Sequence, residues 1–134
     1  MMARPVPVPT ELTRPFWAAA RHGRLVVPAC SPCGRRFFAP EPVCPVCWSD
    51  DWTWEPSTGR GTVYTVTVVH RAPGPGFEVP FALAAVDLED GGTLLSHVVD
   101  VPVEQVRIGM PVRVSFRPVS DEISLPYFVP DGTR

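Results

Sequence analysis

The 134-residue chain carries 45 % hydrophobic and 19 % charged residues, a balance that suits one compact unit or two very small ones and excludes a disordered segment. Eighteen prolines and ten glycines leave little room for long helices and favour short strands and turns. All twelve basic residues are arginine; seven stand against five acids in residues 1–60 and five against nine in residues 61–134, so the second half is acidic. That is the wrong sign for gripping a phosphate backbone.

No stretch approaches the roughly eighteen consecutive apolar residues that a membrane span needs. Prolines break the N-terminus where a secretory signal requires an uninterrupted apolar run, so the default expectation is a cytoplasmic chain.

Residues 1–9 alternate proline with small apolar residues and predict an extended, poorly fixed lead-in. From Thr10 the pattern turns helical. Thr10 is the expected cap, Leu12, Phe16, Trp17 and Ala20 recur near helical spacing, and Gly23 ends the element after about three turns, with Pro15 near its start. Phe16 and Trp17 have two readings: packing against the chain's own core, or anchors for another subunit.

Residues 24–56 form a second zone. Cys30, Cys33, Cys44 and Cys47 make a C-x2-C pair, ten intervening residues, and a second C-x2-C pair. Two residues between thiols let one tight turn aim both sulfurs at one point, and two such turns complete a tetrahedral four-sulfur site. Zinc is the first expectation and iron the alternative, because ligand identity alone does not separate them. Structural disulfides fit poorly with the absence of a signal peptide. With all four positions taken by thiolates no coordination site is left for water or substrate, so the metal reads as structural. Arg35 and Arg36 are expected to offset part of the charge of four thiolates around a divalent ion. Phe37, Phe38, Trp48, Trp52 and Trp54 read either as the apolar cover of a ribbon too small to have much core, or as an interface.

Residues 57–134 read as strands. Gly59-Arg60-Gly61 opens a first strand through His70, with Tyr64, Val66, Val68 and His70 on one face and Val63, Thr65, Thr67 and Val69 on the other. A proline- and glycine-rich loop at 71–80 leads to a second strand at 81–89, and Asp90-Gly91-Gly92 predicts a tight hairpin into a third at 93–100. A connection at 101–110 with one helical turn precedes a fourth strand, 111–119, where Val112, Val114 and Phe116 alternate with Arg113, Ser115 and Arg117; a fifth lies at 123–130. Five short strands with a break after the third predict a small Greek-key barrel of the OB type, with an open five-stranded sandwich as the rival. The fold class is thus mainly β: an N-terminal extension and helix at 1–23, a rubredoxin-like zinc ribbon at 24–56 and a five-stranded OB-fold domain at 57–134.

No catalytic constellation is evident. The cysteines are taken by metal, which leaves no thiol nucleophile. His22 sits at a helix end and His97 in mid-strand as an ordinary barrel residue. His70 and Arg71 open the 71–80 loop, where barrel ligand sites often occur, and with Phe77 they are the candidates for contact with a ligand or partner. Glu89-Asp90 and Asp121-Glu122 read as solvated charge. The two glycine clusters, GRG and PGPG, lack the strand-to-helix context of a phosphate loop.

The order of PFW, CxxCG, CPxC, GRGTVYTVTVVHRAP, RIGMPV and a terminal LPYFVP over roughly residues 10–130 resembles the acyl-CoA-associated zinc-ribbon plus OB-fold family, catalogued as domain of unknown function thirty-five. One departure stands out: Trp48 follows the second CxxC where the family usually has glycine. The resemblance implies a non-catalytic accessory subunit in a hetero-oligomer with a thiolase-like enzyme or a lipid-transfer-protein-like aldolase. By the same resemblance, steroid side-chain cleavage is an example of such a reaction, and the OB part is expected to help bind the coenzyme A portion of an acyl-CoA. The other class open to a barrel of this kind is single-stranded nucleic-acid binding, for which Tyr64, Phe77 and Phe81 would supply stacking and against which the acidic second half speaks.

Overall fold

Thr13, not the expected Thr10, takes the N-cap position of the first element and makes no side-chain cap bond to it; the two threonines bond to each other in the turn before it. The Thr13 N–H donates to the Thr10 hydroxyl at 3.2 Å and the Thr10 N–H to the Thr13 hydroxyl at 2.9 Å, satisfying donors that a helix onset otherwise leaves orphaned. In the computed structural model, which describes residues 5–132, helix α1 then runs over Arg14–Arg21 with Pro15 in its first turn, where a missing amide hydrogen costs nothing. Its eight residues make about two turns, not three. Gly23, at φ +72°, terminates it. Residues 1–4 of the proline-rich lead-in lie outside the described residues.

Strands β1 (Val26–Cys30) and β2 (Trp52–Pro56) pair antiparallel across the intervening cysteine loops, with Val26 opposite Pro56 and Cys30 opposite Trp52. Five further strands follow: β3 (Arg60–Val69), β4 (Phe81–Leu88), β5 (Thr93–Val98), β6 (Pro111–Pro118) and β7 (Ser124–Pro130). They close into a barrel in the order β3-β4-β5-β7-β6. This is the predicted Greek key, and it is closed, not an open sandwich. A single 3-10 turn, Val103–Gln105, carries the chain from the third barrel strand to the fourth. The seam between β5 and β7 is parallel and short, with Val98 opposite Phe128 as its paired position. No helix among the described residues is long and apolar enough to cross a membrane.

β3 departs from the simple alternation. Val63 pairs with Val86 and Thr65 with Ala85, so Tyr64 is an extra residue bulged out of the ladder. A bulge shifts the period-2 pattern by one. Val63 therefore points into the core before it, Val66 packs against the core after it, and Tyr64 and Thr65 are both exposed.

Gly59 and Gly61 stand where neighbouring strands approach too closely for a side chain. A Cβ on Gly61 would sit 2.4 Å from the Asp87 carbonyl oxygen, and one on Gly59, itself at φ +76°, 2.4 Å from Val114 Cγ1. At Gly61 the obstacle is backbone, which cannot swing aside. We expect Gly61→Ala to cost about 1–3 kcal/mol, read as a lowered urea midpoint; an unchanged midpoint would show that β3 and β4 can separate freely here.

The ribbon and the barrel share one core. Phe16, Leu25 and Val27 from the N-terminal part pack in the same buried cluster as Val63, Val86, Leu94, Val112 and Phe128. The polar junction beside it is held by the Asp90 carboxylate, which accepts from the Ser57 hydroxyl at 2.8 Å and the Thr58 N–H at 2.9 Å. Glu89 accepts from the Thr58 hydroxyl at 2.8 Å. Asp90 is thus a structural clasp, and Glu89, though exposed, is tied to the same turn. Arg36 belongs to it as well: its guanidinium donates to the Pro56 carbonyl at 2.8 Å and lies 3.8 Å from Asp90, so it is aimed at the junction.

Candidate metal centre and groove

Each C-x2-C pair sits on a knuckle of the same geometry. The Cys30 N–H donates to the Arg35 carbonyl at 2.8 Å and the Cys30 carbonyl accepts from Gly34 N–H at 2.9 Å. Fourteen residues on, Cys44 N–H donates to Ser49 at 2.8 Å and its carbonyl accepts from Trp48 N–H at 2.9 Å. The residue after each second cysteine must adopt a left-handed conformation to close this turn. Gly34 does so at φ +74°, and Trp48 at φ +67°. The knuckle therefore forms despite the missing glycine, with a side chain in a region that L-residues avoid. Trp48 is 77 % exposed, so little packing rewards it. We expect Trp48→Gly to raise stability by roughly 0.5–1 kcal/mol, seen as a higher melting temperature; a fall would reveal packing of the indole.

The four sulfurs all lie within 4.8 Å of one another, with Cys30 and Cys47 at 3.4 Å and Cys33 and Cys44 at 3.7 Å. A tetrahedral site with metal–sulfur bonds of about 2.3 Å has edges of about 3.8 Å. The donor set fits one four-thiolate ion. Cys30 and Cys44 are buried, Cys33 and Cys47 exposed, and all four are free of disulfides.

The local fields prepare the site unevenly. At Cys44 the backbone N–H of Cys47, then that of Val46, favours the thiolate and outweighs burial, drawing the thiol down to about 7. At Cys30 the Cys33 backbone N–H lowers the thiol, but burial and the adjoining thiols of Cys47, Cys33 and Cys44 win and push it up to about 12. One sulfur ready to ionise beside another that resists is a set that a cation completes by displacing the remaining protons.

The aromatic residues divide by role. Phe37 is buried beside Cys30 and Cys44, and its ring meets Trp52 edge-on at 5.7 Å. Trp52 passes the contact to Trp54 at 5.5 Å, and Trp54 to Phe16 at 6.4 Å. The rings thus run from the sulfur cluster to the barrel core; Trp48 stands outside them. Phe16, 4 % exposed, belongs to the chain's own core, which leaves Trp17 as the helix aromatic that reaches the surface.

Trp17 lines an apolar groove of about 370 Å³ between α1, the ribbon residues Phe38 and Pro40, and the outer face of β4, β5 and β7. A second groove of about 390 Å³ continues from it under the 71–80 loop, and His97 and Tyr127 belong to both. Their rings stack at 5.4 Å, His97 stacks on Phe81 at 4.2 Å, and Phe77 closes over Phe81 at 6.0 Å. Phe77 is therefore part of the groove. His70 and Arg71 are exposed at the start of the loop and line neither groove; His22 is exposed beyond α1. The groove residues that the sequence does not mark as site candidates include Leu95, His97, expected to be an ordinary barrel residue, and Tyr127. Outward alternation of Leu95 and His97 against Leu94, Ser96 and Val98 was their only signal, and it is blurred because Leu94 and Leu95 are both apolar.

A four-thiol ribbon joined to a closed five-stranded barrel defines a zinc-ribbon plus OB-fold protein. Family models agree: the ChsH2 rubredoxin-like zinc ribbon domain matches residues 17–53 and the ChsH2 C-terminal OB-fold domain residues 54–117. The chain belongs to the ChsH2, or DUF35, family. A probable enoyl-CoA hydratase alpha subunit of Thermomonospora curvata is 38 % identical over 116 residues, covering 86 % of this chain and 36 % of that protein. The chain thus spans about a third of that relative's length. A DUF35 domain-containing scaffold protein of Pyrococcus furiosus is 34 % identical over 116 residues, 84 % of this chain and 83 % of that protein. Among solved structures, a chain of an Ltp2-ChsH2(DUF35) aldolase superposes with a TM-score of 0.82 at 35 % identity, over 92 % of this chain and 98 % of that one.

Proposed function

We propose that the chain is a non-catalytic accessory subunit of an acyl-CoA-processing complex. It pairs with a thiolase-like enzyme or aldolase and helps to hold the coenzyme A portion of the substrate. The observation that carries this reading is the likeness, over 92 % of this chain and 98 % of that one, to a chain of an Ltp2-ChsH2(DUF35) aldolase. The chemistry of the chain is consistent with it. Its four thiols are gathered at one point, where a metal would consume them as ligands and leave no nucleophile among the cysteines. The ion is zinc, held by Cys30, Cys33, Cys44 and Cys47, and its task is to pin the ribbon.

Arg71 stands exposed where β3 gives way to the 71–80 loop, available to a coenzyme A phosphate. The isolated chain is expected to show background rates in thiolysis, retro-aldol and hydration assays on acyl-CoA substrates, with turnover appearing on addition of the thiolase-like subunit. In the assembled complex Arg71→Glu should raise KM with kcat little changed, as for a contact equal in ground and transition states. Robust turnover by the chain alone would overturn the reading; an unchanged KM would remove Arg71 from it.

A further inference from the structure

The outer face of α1 carries positive charge that the chain itself answers only in part. Arg14 and Arg21 are both exposed and, seven positions apart, share one helix face. They line one small hollow with Trp17 and Ala18, where Glu122 is the single carboxylate. Arg36 pairs with Asp90 and Arg117 with Asp100 elsewhere in the fold, and neither pair involves these two arginines. Arg21 at the C-terminal end suits the helix dipole, but Arg14 stands in a first turn that has no acidic residue, where the dipole favours negative charge. A local electrostatic rule is broken there, and the hollow offers one carboxylate, Glu122, to two arginines, the kind of imbalance expected where a surface serves another molecule.

Trp17 joins this basic hollow to the apolar groove. Across the groove stand Leu95, 69 % exposed, and Tyr127, and no arginine or carboxylate lines it. An apolar slot beside a hollow with two exposed arginines and one carboxylate is complementary to a segment that presents an apolar side chain with carboxylates beside it. It is a poor match for a purely apolar surface, which would bury the arginines without partners.

We propose that α1 and this groove are the seat for an acidic–apolar segment of the thiolase-like subunit. An apolar side chain enters between Trp17 and Leu95, and carboxylates meet Arg14 and Arg21. This rests on the accessory-subunit reading and adds to it the surface and the charge of the contact.

The test uses the full chain and the thiolase-like subunit with which it is assayed. Arg14→Glu/Arg21→Glu should weaken their association at least about tenfold at low ionic strength, and the difference should shrink as salt screens the contact. Trp17→Ala should weaken it by a similar factor at every salt concentration. Metal content and melting of each variant are measured alongside, and benzoylphenylalanine at position 95 gives a readout independent of folding defects. It should photo-crosslink to a peptide of the thiolase-like subunit with acidic residues beside the cross-linked position, and the same probe at position 48 should not. If the parent pair associates but the arginine reversal changes nothing and position 95 yields no cross-link, the docking seat is wrong while the accessory reading stands. If the parent pair does not associate at all, both fall. Self-association abolished by Leu95→Asp, or binding of a single-stranded oligonucleotide abolished by the arginine reversal, would overturn the proposal in favour of a second copy or a nucleic acid.

Discussion

Cys44→Ser is expected to release the metal and to destabilise the chain by on the order of 4–5 kcal/mol or more, because a structural metal's binding energy is folding energy. Cys44 is buried, and its knuckle is held by bonds to Ser49 and Trp48. Its loss frees the second cysteine loop and with it the Phe37–Trp52 contact. The damage should spread, since Leu25 and Val27 on the ribbon side pack in the barrel's own core. Elemental analysis should find one zinc per parent chain and much less in the variant, with tryptophan near-UV signal lost at lower urea. Freshly prepared parent protein without metal and with four freely reactive thiols would contradict this; iron in place of zinc would correct the ion and leave the architecture.

Phe128→Ala is expected to cost about 3–5 kcal/mol, the range for emptying an aromatic site in a packed core. Phe128 is the largest of the fully buried side chains. Its carbonyl also accepts from the Val99 N–H at 2.8 Å, beside the parallel pairing with Val98 that closes the barrel. The neighbouring residues Tyr127 and His97 stack across that same seam, so the groove should loosen with the core. Urea unfolding followed by circular dichroism gives the value; a cost below about 1 kcal/mol would mean that the seam closes without this ring.

The parts of the fold legible in the sequence are those fixed by local chemistry. Cysteine spacing dictates where two sulfurs can point, and proline, glycine and alternation delimited the five barrel strands and the 71–80 loop. The features that escaped depend on partners distant in the chain. Nothing at Tyr64 announces a bulge, which exists because β3 must bend around the barrel while keeping Val63 and Val66 against one core. Asp90 looks like turn chemistry until Ser57 and Thr58, more than thirty positions earlier, are placed beside it. β1 and β2 pair over a long cysteine-bearing insertion, so neither carries a hairpin signal of its own. His97 and Tyr127 meet only through the parallel β5–β7 seam, which no short-range pattern encodes.

The departure at Trp48 was visible as a residue type and not as a conformation. A glycine position taken by tryptophan suggests either a different turn or strain, and the left-handed φ of +67° shows the same turn. Hydrogen bonding of the knuckle outweighs a cost of about 1–2 kcal/mol.

The central claim is that this chain works as one component of a larger acyl-CoA enzyme. Native mass spectrometry of the chain purified at natural abundance from its own cells tests it most directly. The account predicts a complex whose mass includes this chain, one zinc ion per copy and a thiolase-like subunit, and which processes an acyl-CoA that neither component processes alone. A free chain, without any such subunit bound and turning over an acyl-CoA by itself, would contradict it.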